Sequence, residues 1–252
     1  MGVISMKCII SALLFFPLYT YAQGENDFTA DRPGATTGTD VLPKGRIQWE
    51  TGVGVEYTSM ESPSTTTWTI NTSLLRFGIS DYAELRLQVD GLYTCNDEDN
   101  YGGLANLIIG SKLHLFDGWK AIPEMSLLAN ILIPGGKNSN YLPKNIGGQL
   151  GLLFQNDLSS KLSLGYEADI IWGDEEKPTA FGGVCLGLQV SDKLNLMLEE
   201  YNYNNVHTEC WMEIGAALML SKKVQIDVAA DVSLQYLKRY YNFSIGLAWQ
   251  IN

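Results

Sequence analysis

Apolar and polar residues alternate with a period of two along most of the chain, a pattern typical of β-strands with one apolar and one polar face. The clearest run is the last one, in which Tyr241, Phe243, Ile245, Leu247, Trp249 and Ile251 alternate with Asn242, Ser244, Gly246, Ala248 and Gln250. The alternation predicts twelve strands, at about residues 46–57, 66–79, 83–93, 104–116, 121–133, 147–158, 162–172, 180–190, 194–203, 209–220, 224–234 and 241–251.

The second predicted strand changes phase within its length. Trp68 and Ile70 lie on one parity, whereas Leu75 and Ile79 lie on the other. One extra residue in a strand reverses the parity of everything that follows it, so the sequence predicts a β-bulge near Leu74.

The connections between the predicted strands alternate in length. Short turns, four of which begin with serine, lie at residues 80–82, 117–120, 159–161, 191–193 and 221–223. Longer and more polar connections lie at residues 58–65, 94–103, 134–146, 173–179, 204–208 and 235–240. An even number of strands, with short turns at the end that holds both termini, is typical of a bacterial outer-membrane barrel. The predicted fold is therefore all-β, a single antiparallel up-and-down transmembrane β-barrel formed by residues 46–252.

A closed barrel suits a membrane because closure pairs the backbone N–H and C=O groups of every strand edge. In hydrocarbon, the groups of an open edge would have no hydrogen-bond partner. Aromatic residues at the strand ends fit an interfacial girdle. We expect one girdle at Trp49, Phe77, Tyr82, Phe116, Trp119 and Trp249, and another at Tyr57, Trp68, Tyr93, Trp172, Phe181, Trp211, Tyr240 and Tyr241. The alternative is a secreted soluble sandwich or lipocalin-like barrel whose apolar face points inward.

The N-terminus has the order of a secretory signal peptide. Lys7 precedes an apolar stretch from Cys8 to Leu18, and small and polar residues follow up to Ala22. This order predicts export of the chain to the cell envelope of a Gram-negative bacterium, with residues 1–22 removed. Residues 23–45, with Asp31, Arg32 and Pro33, precede the first strand. They are either a periplasmic segment or a small plug that enters the barrel.

Charge and cysteine content exclude several classes of protein. The 17 basic residues face 28 acidic ones, which disfavours binding to nucleic acid. After removal of the signal peptide, Cys95, Cys185 and Cys210 remain. An odd number of cysteines without Cys-x-x-Cys spacing predicts neither a zinc site nor a disulfide framework, and allows at most one disulfide pair.

The inward parity of the predicted barrel carries most of the charged residues. The lumen-lining candidates are Arg46, Glu50, Glu56, Arg76, Glu84, Arg86, Asp90, Lys112, His114, Glu124, Asp157, Glu167, Asp169, Glu199, Glu213, Asp227 and Asp231. Twelve of these residues are acids, a surplus that favours cations or polyhydroxylated neutral solutes in the lumen. The alternative is that the basic residues form a carboxylate network that braces a narrow lumen.

The sequence predicts no enzyme, no cofactor and no metal site. It has two histidines, His114 and His207, and neither lies near a recognisable nucleophile motif. No metalloprotease, P-loop or EF-hand pattern is present.

Several short segments resemble a family of transporter-like barrels named for the MetA pathway of phenol degradation. They include residues 29–34 (Thr-Ala-Asp-Arg-Pro-Gly), 42–52, 71–79, 84–86, 109–112 and 196–201. The resemblance implies an outer-membrane protein that passes small, including hydrophobic, solutes, without fixing a substrate. The last strand resembles the assembly signal of outer-membrane barrels, although it ends in Asn252 and leaves Trp249 or Ile251 as the last apolar anchor.

Three functional hypotheses follow. The first is a porin-like passive transporter or narrow pore, the second a filled-lumen structural or adhesion barrel, and the third a barrel hydrolase that uses His114. The expected partners are outer-membrane lipid and lipopolysaccharide, the barrel-assembly machinery and small solutes, with no nucleic acid.

Overall fold

Twelve antiparallel β-strands form the fold in the computed structural model, which describes residues 28–59, 64–96, 99–135, 139–174, 176–237 and 239–252. The predicted signal peptide lies outside the described residues. The strands are β1 (Ile47–Thr58), β2 (Thr65–Ser80), β3 (Ala83–Cys95), β4 (Asn100–Phe116), β5 (Glu124–Leu132), β6 (Gly147–Asp157), β7 (Leu162–Trp172), β8 (Thr179–Gln189), β9 (Leu194–Asn204), β10 (Thr208–Ser221), β11 (Val224–Ser233) and β12 (Tyr240–Gln250). The predicted number of strands is confirmed.

Each strand pairs with its neighbours in the chain, and β12 pairs with β1 to close the barrel. Asn252 strengthens this seam, since its Oδ1 accepts from Ile47 N at 2.8 Å and its Nδ2 donates to Gly45 O at 3.0 Å. The predicted all-β up-and-down barrel is therefore confirmed, with all backbone edges paired within the wall.

Some strand ends differ from the prediction. The fifth strand begins at Glu124, three residues later than expected. Ile122 instead forms an isolated bridge with Trp119, and Pro123 has no N–H to donate to a ladder. The fourth strand begins earlier than expected, at Asn100.

The apolar parity of the strands faces outward and the polar parity faces inward. Adjacent residues of β11 show this most clearly, because Val228 is 42% exposed while Asp227 is 2% exposed. In β12, Ile245 is exposed and Ala248 is fully buried. This distribution is the reverse of a soluble barrel, in which the apolar side is enclosed.

The β-bulge of the second strand lies at Ile70, four residues before the predicted position near Leu74. Thr69 pairs with Leu92 and Asn71 pairs with Gly91, which leaves Ile70 as the extra residue. The bulge places Asn71 beside two outward-parity side chains, and its Oδ1 accepts from Thr51 Oγ1 at 2.9 Å. An amide on the outer wall is therefore satisfied by its neighbours rather than left unpaired.

Three aromatic residues predicted for the outer girdle lie inside the barrel instead. Phe181 and Trp211 are 6% exposed and pack against Tyr201, with Tyr240 at their edge. The prediction was wrong because it placed these residues by their position near a strand end, although their parity is that of the inward residues. Tyr57 and Tyr241 lie on the outward parity and stack with a centroid distance of 5.2 Å.

Cys95, Cys185 and Cys210 are free thiols. No helix in the described part of the chain is both long enough and apolar enough to cross a bilayer.

Candidate functional site in the barrel lumen

Residues 28–45 cross the barrel interior before the first strand begins. Prolines and glycines keep this segment irregular, and Gly34 and Gly45 adopt positive φ angles of 122° and 80°. An irregular backbone needs hydrogen-bond partners outside itself. The lumen supplies them as carboxylates. We call residues 28–45 the lumen segment.

Carboxylates from four strands accept backbone N–H groups of the lumen segment. Glu50 of β1 accepts from Asp31 N at 3.1 Å. Glu199 of β9 accepts from Ala35 N at 2.9 Å and from Thr36 N at 2.7 Å. Glu167 of β7 accepts from Thr37 N at 2.6 Å, and Glu84 of β3 accepts from Leu42 N at 2.8 Å. The segment thus reaches both the β3 and the β9 walls.

Arg76 is at the centre of a buried ion network. Its side chain is fully buried and pairs with Glu50 at 3.0 Å and with Glu84 at 2.8 Å. Arg86 pairs with the same Glu84 at 2.8 Å and with Asp31 of the lumen segment at 2.5 Å. Such charge-assisted hydrogen bonds are stronger than neutral ones and have a defined geometry.

Two basic residues hold both arms of the lumen segment. Lys112 Nζ lies 3.0 Å from Asp31 Oδ1 and donates to Gly38 O at 2.8 Å. Arg76 Nη1 donates to Thr29 O and Arg76 Nη2 donates to Asp40 O, both at 3.1 Å. We call residues 29–31 the outgoing arm and residues 38–43 the returning arm. Because Lys112 and Arg76 each contact both arms, together they hold the base of the loop between them.

The charges in the lumen are unevenly distributed. On the wall of β1 to β4, the three bases of the ion network face the three acids Asp31, Glu50 and Glu84, so this cluster has no net charge. The opposite wall carries Glu167, Asp169, Glu199, Glu213, Asp227 and Asp231. Among the described residues, the one ion pair on that wall joins Arg32 to Asp227 at 3.2 Å. The lumen is therefore strongly negative on the β7 to β11 side.

Inward-facing glycines provide the space for the lumen segment. A Cβ on Gly246 would collide with the Arg32 side chain, and a Cβ on Gly78 would collide with the backbone carbonyl of Pro43. Gly183 faces Thr36 in the same way. Glycine at these positions lets the segment pack directly on the wall.

The other lumen-lining candidates lie at other levels along the barrel axis than the ion network. Asp90 Oδ2 accepts from Asn106 at 2.6 Å, and Asp169 Oδ2 accepts from Gln149 at 2.5 Å. Glu56 is half-buried near the loop end of β1.

At the turn end, Arg46 precedes β1 and is half-buried, and Asp157 is exposed at the end of β6. His114 Nε2 lies 2.7 Å from Asp117 Oδ1, and His114 Nδ1 lies 3.7 Å from Glu124 Oε1. These contacts leave His114 in a carboxylate environment at the mouth of the barrel.

Two carboxyl groups of the lumen segment have shifted pKa values. Burial by itself would raise the pKa of Asp31, but the charges of Arg76, Lys112 and Arg86 outweigh it and hold the pKa well below its usual range. For Asp40, burial raises the pKa, and Lys112 and Arg76 offset only part of this effect. At neutral pH, Asp31 is therefore the anchoring anion of the segment.

A cavity of about 240 Å³ lies next to the lumen segment, between the acidic wall and β1–β2. Its lining includes Arg32 and Pro33 of the segment, Thr72 of β2, and Tyr201, Glu213 and Asp231 of the acidic wall. A second depression, of about 320 Å³, is lined mainly by apolar residues of the outer wall, among them Trp49 and Leu87, and is not part of the lumen.

Sequence reasoning missed several residues that bind the lumen segment. Ser126 donates to Thr39 O at 2.6 Å, Gln225 Nε2 donates to Arg32 O at 2.9 Å, and Gln48 Nε2 donates to Thr29 O at 2.7 Å. All three lie on the inward parity of their strands. Uncharged polar side chains and glycines on that parity are the sequence signal that could have indicated contact with a segment inside the barrel. The specific partners depend on the path of the segment, which has no periodic pattern.

An apolar outer wall around a charged interior defines a β-barrel of the bacterial outer membrane. The family model described as "Putative MetA-pathway of phenol degradation" matches residues 30–251, and the chain belongs to this family. The family that the sequence resembled is thereby confirmed. A search of curated proteins finds no match to this chain.

Solved outer-membrane barrels share the fold. The COG4313 outer membrane channel from Pseudomonas putida F1 superposes with a TM-score of 0.67 at 13% identity, covering 87% of this chain and 99% of that one. The KdgM porin in complex with disordered oligogalacturonate gives 0.52 at 6% identity, covering 80% and 99%. The translocator domain of the autotransporter NalP from Neisseria meningitidis gives 0.51 at 16% identity, covering 81% and 87%. At these identities the likeness establishes the fold.

Proposed function

We propose that this protein is a passive channel for small solutes, in which the lumen segment restricts the conducting path. The observation that carries the proposal is the charged interior of a closed barrel, crossed by a segment that polar side chains hold in place. Proteins whose interior has only a structural role can fill it with apolar side chains at lower cost, because buried ion networks contribute little net stability.

The same network limits the size of the solute. Glu50 and Arg76 have no exposed side-chain surface, so no open volume passes between them and the lumen segment. Flux therefore requires movement of the segment or a path beside it. The family and the channel and porin folds support transport, and the proposal includes the absence of catalysis.

A filled-lumen structural or adhesion barrel is the second candidate, and the complete burial of Arg76 and Lys112 is the observation that favours it. A hydrolase has less support, because the ring nitrogens of His114 face the carboxylates of Asp117 and Glu124 rather than a nucleophile.

Reconstitution of the full chain distinguishes these functions. We expect small conductance steps in planar bilayers and swelling of proteoliposomes in solutions of small neutral solutes. Asp31→Asn removes the charge that Arg86 and Lys112 contact, so it should increase the conductance, whereas Asp192→Asn in an exposed turn should not. A barrel that passes neither ions nor solutes, with or without Asp31→Asn, would be the structural barrel.

A further inference from the structure

A row of acidic side chains crosses the acidic wall at one level. Along the registers of β9 to β12 and β1, Glu199 pairs with Glu213, Glu213 with Asp231, Asp231 with Asn242, and Asn242 with Glu56. Directly opposed residues in antiparallel strands hold their Cβ atoms about 5 Å apart, and like charges in this position repel each other. Such a row is costly unless its carboxyl groups take up protons or a cation lies near them. The cationic side chain in the cavity lining, Arg32, pairs with Asp227 outside the row.

The carboxylates of the row differ in how many hydrogen-bond donors they have. Glu199 accepts two backbone N–H groups of the lumen segment. Glu213 is 5% exposed, and no hydrogen bond or ion pair of its side chain is found within the described chain. Asp231 is 6% exposed, and its Oδ1 is buried without a hydrogen-bond partner, while its Oδ2 accepts from Asn242 at 3.2 Å. Both of these carboxylates line the cavity of about 240 Å³.

An aromatic surface lies next to the acidic row, one inward position nearer the long loops. Tyr201 and Trp211 are paired across β9 and β10, and their rings are parallel within 3° at a centroid distance of 6.1 Å. Tyr240 packs edge-on against Trp211 at 4.4 Å. Tyr201 lines the same cavity as the two carboxylates. Aromatic faces attract organic cations as well as apolar groups.

We propose that this cavity binds a small organic ammonium ion, with its N–H groups on Glu213 and Asp231 and its apolar body against Tyr201. A cavity of this volume accommodates a solute of about ten heavy atoms. The aromatic face beside the two carboxylates favours an organic cation over a bare metal ion, because it offers contact area to an apolar body. The inference rests on the proposed function in one respect, that the lumen is the path of the solute.

The test uses the full chain in lipid nanodiscs and isothermal titration calorimetry. The probe is benzylammonium, and benzyl alcohol and benzoate are the neutral and anionic analogues. We expect benzylammonium to bind more tightly than both analogues. Glu213→Gln and Asp231→Asn should each weaken its binding at least tenfold, and Asp192→Asn in an exposed turn should leave it unchanged. Both cavity variants remove a like-charge contact, so we expect them to fold at least as well as the parent chain.

Three outcomes would overturn the inference: equal affinity for benzyl alcohol, benzylammonium binding that is insensitive to both cavity variants, or binding of Na⁺ or Ca²⁺ but not benzylammonium at the same carboxylates. Conductance of the same preparation tests the proposed function separately. A barrel that conducts ions without binding benzylammonium refutes only the ammonium site. A barrel that binds benzylammonium without conducting refutes only the channel.

Discussion

Lys112 Nζ lies 3.0 Å from Asp31 Oδ1, and the same nitrogen donates to Gly38 O seven residues further along the lumen segment. One side chain of the wall therefore fixes the spacing between the two arms of a loop that crosses the barrel. Lys112→Met keeps the length of the side chain but removes both contacts. Breaking a buried ion pair costs about 3–5 kcal/mol, so we expect the open population of the channel to rise more than tenfold in single-channel recordings. Unchanged gating would show that the contacts of Lys112 with Asp31 and Gly38 do not hold the lumen segment in place.

The two acids of the lumen segment predict opposite effects of pH. Burial raises the pKa of Asp40, so its charge weakens docking of the segment at neutral pH, and docking should tighten as the pH falls towards the ordinary value of about 3.9. The pKa of Asp31 is lowered by its basic neighbours, so its anchoring charge persists through this range and is lost only at lower pH. We expect the open probability to fall on mild acidification and to rise again in strong acid.

Matched variants separate these two titrations in the same recordings. Asp40→Asn should abolish the fall on mild acidification. Asp31→Asn should start from a higher open probability and lose the rise in strong acid. If neither variant alters the pH profile, residues of the wall and not of the segment control gating.

A bulky residue at Gly78 should displace the returning arm of the segment. A Cβ at this position collides with backbone carbonyls of Leu42 and Pro43, which cannot rotate away as a flexible side chain can. Gly78→Val is expected to increase the conductance and to expose the segment to added protease. Gly91→Val is the matched control, since Gly91 lies in β3 and no described atom comes within 4 Å of the point that its Cβ would occupy. Equal behaviour of the two variants would contradict close packing of the segment on β2.

The excess of carboxylates predicts selectivity for cations. The ion network on the β1 to β4 wall has no net charge, whereas the β7 to β11 wall has a single cationic partner in Arg32 among the described residues. In a salt gradient, the reversal potential should report preference for K⁺ over Cl⁻, and Asp227→Asn should reduce this preference. Preference for Cl⁻ would show that the conducting path avoids the acidic wall.

The barrel could be predicted from the sequence because strand parity is a local property. Residues such as Val228 and Leu247 alternate with inward residues so regularly that twelve strands and their turns follow from the pattern. The inward position of Trp211 was equally available, because it shares the parity of Glu213. For Trp211, strand parity and not nearness to the strand end determines the side of the wall on which the ring lies.

The path of the lumen segment could not be predicted in this way. Residues 28–45 have no period, and their contacts join positions far apart in sequence, as between Thr36 and Glu199. Even the role of Asp31 depends on three bases from three different strands meeting at one point. The presence of charged residues in the lumen was therefore predictable from the sequence. Which acid pairs with which base follows only from the arrangement of the strands and the segment in three dimensions.

Cys185 provides the most direct test of the lumen segment as a movable restriction. This free thiol of β8 lies two residues from Gly183, whose Cβ position the Thr36 side chain approaches, so Thr36→Cys places a second thiol near Cys185. In the reconstituted full chain, mild oxidation should join the introduced thiol to Cys185 and abolish the conductance, and reduction should restore it. The same substitution combined with Cys185→Ser should conduct under both conditions. A cross-linked barrel that conducts as well as the reduced one would contradict a movable restriction. Failure of the two thiols to cross-link would contradict the placement of Thr36 beside β8.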